Sequence, residues 1–151
     1  MAAHKNPVPT VDGILQKGSK VLMVRRKNEP YKGRLALPGG FVDEGETVED
    51  AFRREVREEC ALEVEPIDIL GVYSDPRRDP RKHTLSVVFV GLILSGDEKA
   101  GDDAGGLEWI DLANLEKIRD QIAFDHAQIL SDYFRWKASV GTYWSTRHRS
   151  S

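Results

Sequence analysis

The chain has 151 residues, of which 40% are hydrophobic and 31% charged, with a formal net charge of −3. That length fits one domain able to bury about 68–70% of its unfolded surface, and the acidic balance argues against broad binding to nucleic acid or an anionic membrane. No apolar run reaches membrane-spanning length, MAAHKNP lacks the apolar core of a signal peptide, and the single Cys60 excludes an internal disulfide, which together predict a cytoplasmic protein.

Residues 1–7 read as a loose end. Val8 to Leu15 and Lys20 to Val24 are apolar and β-branched, and flank Gln16-Lys17-Gly18-Ser19 in the pattern of a hairpin. Arg25, Arg26 and Lys27 close its second strand, and Lys32 and Arg34 come just before Leu35-Ala36-Leu37. Such clusters are ordinarily solvated strand ends, but here they precede a glycine loop, so Arg26 and Arg34 are also candidates for phosphate contact. Leu37-Pro38-Gly39-Gly40 suits a type II turn, with Pro38 at i+1 and Gly39 at i+2 where φ is positive. Glycine there also lets backbone carbonyls approach an ion or a phosphate.

The next stretch, GFVDEGETVEDAFRREVREECAL from Gly40 to Leu62, predicts a loop feeding a helix. Thr47 is its N-cap, Glu49 and Asp50 put negative charge in the first turn, and Val48, Ala51, Phe52, Val56 and Cys60 form a core-facing stripe. At about 100° per residue, Glu55 and Glu59 fall roughly 40° apart, with Glu58 on the other flank of Glu55. Three carboxylates therefore share one edge beside the apolar stripe, and like charges at i,i+4 cost about 0.2–0.5 kcal/mol. Arg54 offsets one of them. Two readings fit the helix alone: an acidic, solvated face, or a site for a hard divalent cation such as Mg²⁺. Cys60 lies on the apolar edge and has a packing role.

Val64 to Tyr73 reads as a strand, Ser74 to His83 as a polar loop, and Thr84 to Leu94 as a buried strand. Ser95 to Gly106 is a loop, Leu107 to Leu112 a short strand around Trp109, and helical residues continue to Ile118. Asp125 with Gln128 resembles a capping box, and Phe124 with Ile129 a hydrophobic staple, opening a helix to about Ala138 with His126 in a structural place. Residues 139–151 read as a loose tail. A long helix set early among strands, with another at the end, predicts an α/β domain with a mixed sheet between helices.

Gly40 to Leu62 resembles the Nudix box, G-x5-E-x7-R-E-U-x-E-E-x-G-U with U aliphatic. Gly40, Glu46, Arg54, Glu55, Val56, Glu58, Glu59 and Leu62 match in register; at residue frequencies of about 5–7%, chance gives such a match on the order of once in a million. Ala61 stands where the pattern has Gly, which predicts a different exit from the helix with every carboxylate kept. The resemblance implies the Nudix fold, an α/β/α sandwich with a mixed sheet, over the single domain 1–151. It also implies hydrolysis of a nucleoside diphosphate linked to another moiety, with Mg²⁺ as cofactor and Mn²⁺ as a substitute. Its implied metal ligands are Glu55, Glu58, Glu59 and the Gly39 carbonyl, with Arg54 holding the carboxylates and Glu46 pairing with Arg54. Catalysis is thereby assigned to Glu55, Glu58 and Arg54, with one further carboxylate from a late loop. Glu98, Asp102 and Asp103 are the candidates; Asp103 is preferred for its distance ahead of Trp109, and an acidic surface loop is the alternative.

Downstream of the box, Gly71 to Gly91 resembles small ADP-ribose pyrophosphatases, which carry a marker proline at about the distance of Pro76, and Ala123-Phe124-Asp125-His126 is similar too. This implies cleavage of ADP-ribose, or a related nucleoside diphosphate sugar, to a nucleoside monophosphate and a sugar phosphate. Arg77, Arg78, Arg81 and Lys82 give an otherwise acidic chain a movable set of cations, from which an arginine such as Arg81 would grip a phosphate and beside which Asp79 would accept from a ribose hydroxyl; a solvated turn is the alternative. Two other readings stand beside it. One is a Nudix hydrolase of nucleoside triphosphates, capped RNA or dinucleoside polyphosphates; the other is a non-catalytic nucleotide-sugar sensor, against which the intact carboxylates argue. Tyr133, Phe134, Trp136, Tyr143 and Trp144 crowd the last helix and tail, which predicts a homodimer, with no stable nucleic-acid partner and no membrane.

Overall fold

The computed structural model describes residues 3–102 and 104–149. In chain order its elements are β1 (Val8–Lys17), β2 (Lys20–Arg26), β3 (Leu35–Ala36), β4 (Gly39–Phe41), α1 (Val48–Cys60), β5 (Glu63–Tyr73) and β6 (Thr84–Ser95). They continue with β7 (Ala104–Asp111), the four-residue α2 (Leu115–Ile118) between short 3-10 turns, α3 (His126–Ala138) and β8 (Tyr143–Trp144).

The β1–β2 hairpin closes with only two pairs, Gln16 with Val21 and Lys17 with Lys20, around Gly18 at φ 61. Beyond them the strands part and serve two leaves. β1 runs parallel to β6 and antiparallel to β4, while β6 pairs antiparallel with β5 and β5 pairs parallel with β8. β2 pairs antiparallel with β3 and β7. β7 begins at Ala104, ahead of the expected Leu107, because a register shift between Val24 and Arg26 lets Ala104 pair with Arg26. The intervening glycines give no strand signal in the sequence.

Alternation along the strands feeds two cores. Val11, Leu15, Leu22, Val24 and Phe89 meet Ala51, Phe52, Val56 and Cys60 of α1. Ile14, Val21, Met23, Leu70 and Val88 lie in the other core with Ile129, Leu130 and Tyr133 of α3. Helices on both faces of a mixed sheet make the expected α/β/α sandwich. α1 sits close because Phe52 occupies space over Gly13 and Gly91: a Cβ on Gly13 would lie 2.1 Å from the ring.

Four local expectations are corrected. Gly39 is not the positive-φ corner of a type II turn; Gly39–Phe41 is extended and pairs with Asp12, Val11 and Thr10. Glycine is required for closeness instead, since a Cβ on Gly39 would lie 2.1 Å from the Val11 carbonyl oxygen. Ala61 does not alter the helix exit but adopts the left-handed cap itself, at φ 59 and ψ 33, its N–H donating to the Arg57 carbonyl. Asp125 makes no side-chain cap on α3, because its carboxylate is taken by Arg78 at 2.8 and 3.0 Å, and Phe124 turns to Tyr31 rather than stapling to Ile129. The tail is not loose through residue 149. β8 pairs with Gly71 and Val72, Ser145 Oγ accepts from the N–H groups of Ser74 and Asp75, and Arg149 grips the fully buried Asp132 with two contacts of 2.6 Å. Among the described residues no helix is long and apolar enough to cross a membrane.

Candidate active site

Pairing of β4 with β1 brings Gly39 and Gly40 against the acidic edge of α1. The Gly39 N–H donates to Glu59 Oε1 at 2.9 Å, and a Cβ on Gly40 would lie 2.6 Å from the Glu55 carboxyl carbon. Only glycine allows that approach. Arg54 ties the rest together: two bonds of 2.6 and 3.0 Å to Glu46, 2.8 Å to Glu55, 3.3 Å to Glu58 and 3.0 Å to the Phe41 carbonyl. These bonds, with the Asp43 N–H, hold Glu46 down at about 2. Burial raises Glu55 despite Arg54. Glu59 is pushed up to about 8, first by burial and then by the charges of Glu55 and Asp12, against the Gly39 hydrogen bond. Cys60 is pushed up to about 12 by burial and by Glu59, so its thiol is a packing group.

Among the described residues no three His, Cys, Asp or Glu side chains stand together as a preformed metal cage. Arg54 holds Glu55 and Glu58, and the Gly39 amide holds Glu59. The donor set nonetheless suits a hard cation, since the carboxylates of Glu55, Glu58 and Glu59 line one cleft with the Gly39 backbone. Burial first, and then the charges of Glu55 and Asp12, favour the protonated form of Glu59, an effect that a bound cation would oppose.

A cleft of about 290 Å³ opens here, lined by Glu55, Glu58, Glu59, Arg26, Asp79 and Arg81. Asp79 is 6% exposed and engages Arg81 through both oxygens, at 2.8 and 3.1 Å, and through the Arg81 N–H at 2.9 Å. The two therefore form one unit, with the carboxylate spent on orienting the guanidinium. Arg34 is not in the cleft; it is exposed, with its guanidinium 5.4 Å from the Tyr31 ring. Asp102 lines the cleft, Glu98 accepts from Trp109 Nε1 at 3.0 Å away from it, and Asp103 lies outside the described residues.

Sequence reasoning counted Arg78 only among the loop cations and His126 only as structural, and missed Asp12 and the polar floor that joins them. Asp12 accepts from Ser86 Oγ at 2.5 Å and lies 3.5 Å from His126 Nε2 and 3.7 Å from Arg78. Arg78 reaches on to Asp125 and, at 2.8 Å, to Thr84 Oγ1. Burial raises Asp12 despite the cations around it. Burial, helped by the Arg78 and Arg26 charges and opposed by Asp12, holds His126 down to about 4, and the Nδ1 of that ring accepts the Leu37 N–H at 2.9 Å. The signal available for Asp12 is a lone charge inside an apolar strand. None distinguishes Arg78 from Arg77, although their side chains are 5% and 90% exposed.

A NUDIX domain profile matches residues 6–133. The chain is 52% identical, over 134 residues, to an ADP-ribose pyrophosphatase of Methanocaldococcus jannaschii, covering 89% of this chain and 77% of that protein. Among solved structures it resembles a bifunctional NMN adenylyltransferase/ADP ribose pyrophosphatase from Francisella tularensis, with 32% identity, a TM-score of 0.79, and coverage of 93% of this chain but 43% of that one. It also resembles the NUDIX domain of Shewanella oneidensis NrtR complexed with ADP ribose, with 28% identity, a TM-score of 0.75, and coverage of 87% and 89%. Profile, sequence relative and acidic helix agree: the chain belongs to the Nudix family.

Proposed function

We propose that this Nudix hydrolase cleaves the diphosphate of ADP-ribose or a related nucleoside diphosphate sugar, water adding across the P–O–P linkage to give a nucleoside monophosphate and a sugar phosphate. The observation that carries the reading is the 52% identity to an ADP-ribose pyrophosphatase over 89% of the chain. Glu55, Glu58, Glu59 and the Gly39 carbonyl would hold Mg²⁺, or Mn²⁺ in its place. When bound, the ion polarises phosphoryl oxygens and lowers the pKa of a coordinated water. The chain's own groups do the positioning. Arg54, fixed by Glu46, orients Glu55 and Glu58, so that removing Glu46 loosens the ligand set rather than the substrate. Arg26 and the Asp79-bound Arg81 face the cleft as receivers of phosphate oxygens. Asp102 lines the same cleft, and Asp103 is kept as a second candidate for the late-loop carboxylate.

The test is turnover of ADP-ribose, nucleoside triphosphates and capped RNA side by side with Mg²⁺. ADP-ribose is expected to give the highest kcat/KM, and a higher value for a triphosphate would overturn the substrate assignment. Glu59→Gln is expected to lose Mg²⁺-dependent turnover by at least about a hundredfold; unimpaired turnover would remove Glu59 from the ligand set. We also infer a homodimer. Phe134 and Trp144 are 61% and 47% exposed, while Tyr133 and Tyr143 are buried in the chain's own core. A single sedimenting species of monomer mass at micromolar concentration would refute it.

A further inference from the structure

Two aromatic residues hold backbone conformations that side chains of their size rarely adopt: Tyr31 at φ 61 and Phe124 at φ 53. Strain of this kind collects at ligand sites. Though distant in sequence, the two rings meet edge to face, with centroids 4.8 Å apart and planes at 63°. Both segments are fastened from behind. Arg26 Nε donates to the Pro30 carbonyl at 2.6 Å and the Arg34 N–H to the Tyr31 carbonyl at 3.0 Å. The Ala123 N–H, next to Phe124, donates to the Leu35 carbonyl of β3 at 2.8 Å.

Phe124 lines the carboxylate cleft and also, with Tyr31, Gln128 and Ser145, a second hollow of about 380 Å³. Arg78 also borders both spaces, and it is ion-paired at 2.8 Å with Asp125, which lines the second. A nucleoside diphosphate sugar with its diphosphate at Glu55 and Glu59 must send its base to one side. We propose that the second hollow receives the nucleobase, stacked on the Tyr31 ring, which Phe124, itself covered by the Arg26 guanidinium at 4.8 Å, braces edge to face, with the Gln128 amide at the edge of the base. This rests on the pyrophosphatase reading. Gln128 Nε2 gives one proton to the Ser145 carbonyl at 3.2 Å. Its second proton and its Oε1 match the paired acceptor and donor on an adenine edge. The Tyr31 face is approached by the Arg34 guanidinium at 5.4 Å, and that exposed side chain is free to yield to a base or to stack on it.

Tyr31→Asn removes the ring but keeps a residue tolerant of left-handed backbone, and Tyr31→Phe keeps the ring. Isothermal calorimetry would measure binding of AMP and of ribose 5-phosphate to the full chain, with steady-state kinetics on ADP-ribose alongside. Stacking on one aromatic residue sets the expected effect: Tyr31→Asn weakens AMP binding about tenfold or more and raises KM for ADP-ribose similarly, with kcat within about threefold. Tyr31→Phe stays within about twofold of the wild type, ribose 5-phosphate binds all three proteins alike, and the melting temperature of Tyr31→Asn does not fall. AMP bound as tightly by Tyr31→Asn as by the wild type, or not bound by the wild type at all, would overturn the base site, even with ADP-ribose cleaved normally. AMP binding that depends on Tyr31 in a protein that leaves ADP-ribose intact would keep the base site and sink the pyrophosphatase reading.

Discussion

Ala61 ends α1 in the left-handed region, at φ 59, with an exposed side chain. A residue with a Cβ loses roughly 1–2 kcal/mol there, and a glycine gives back part of that advantage through its freer unfolded chain. Ala61→Gly is therefore expected to raise stability by about 0.5–1 kcal/mol, read as a higher urea midpoint at constant m; a lower midpoint would mean that the methyl group packs usefully. His126 gives a pH-dependent counterpart. Its folded value of about 4 lies below the ordinary 6.5, because burial of the ring, together with the Arg78 and Arg26 charges, outweighs the pull of Asp12. As pH falls below 6.5, the unfolded chain binds a proton that the native chain refuses, so this group's contribution falls until about pH 4, by at most about 3 kcal/mol. Glu59, raised to about 8, works in the opposite direction, so the test is a difference. The stability gap between wild type and His126→Asn should narrow by about 2 kcal/mol from pH 7 to pH 4.5, and a constant gap would contradict it. His126 reads as structural in the sequence because a helix's first turn is all that its neighbours reveal. Its acidic partner Asp12 comes from β1, more than a hundred residues earlier in the chain.

At the scale of elements, α1 carries both the packing stripe and the acidic edge, so its seat on the sheet sets the carboxylates. That seat is the space over Gly13 and Gly91, which Phe52 fills. A Gly13→Ala methyl would sit 2.1 Å from the ring and must push the helix or the strand aside. We expect a loss of about 1–3 kcal/mol and a fall in turnover, with both partly restored by adding Phe52→Leu; wild-type stability in Gly13→Ala alone would show that α1 is not seated this way. The helix itself was legible because its stripe, N-cap and charges follow local rules, and Thr47 caps it by accepting from Asp50 N–H as those rules predict. The hairpin and the long β6 were legible for the same reason. The tail was not. Its hold depends on Asp132, buried on α3 with Tyr73 at 2.7 Å and Arg149 at 2.6 Å, and nothing in GTYWSTRHR announces a partner that far away. β4 was misread as a turn because Pro-Gly-Gly is ordinarily punctuation; only the three-dimensional approach of β1 makes an extended strand of it.

On the scale of the whole molecule, the sheet is legible in kind but not in order, since the parallel pairing of β1 with β6 joins segments with no local signal in common. That pairing builds the floor of a cleft in which charge is unevenly shared. The chain as a whole carries −3, and the acidic edge of α1 repels a diphosphate. Against this, Arg26, Lys27 and Arg81 line the cleft, and Lys82 stands 5.0 Å from the Phe41 ring on its wall. Arg81 is the best placed to attract substrate, being partly exposed and fixed by Asp79 rather than free to wander. Such attraction acts across solvent, where the screening length is about 10 Å at 0.1 M salt and shortens as salt rises. With free Mg²⁺ held constant, kcat/KM for ADP-ribose is expected to fall several-fold between about 0.05 and 0.5 M KCl, while kcat changes by less than about twofold. Arg81→Gln should start lower and show a flatter dependence, because the cation being screened is gone. If wild type and Arg81→Gln lose kcat/KM in parallel as salt rises, Arg81 does not recruit the substrate, and that work falls to the metal and the remaining cations of the cleft.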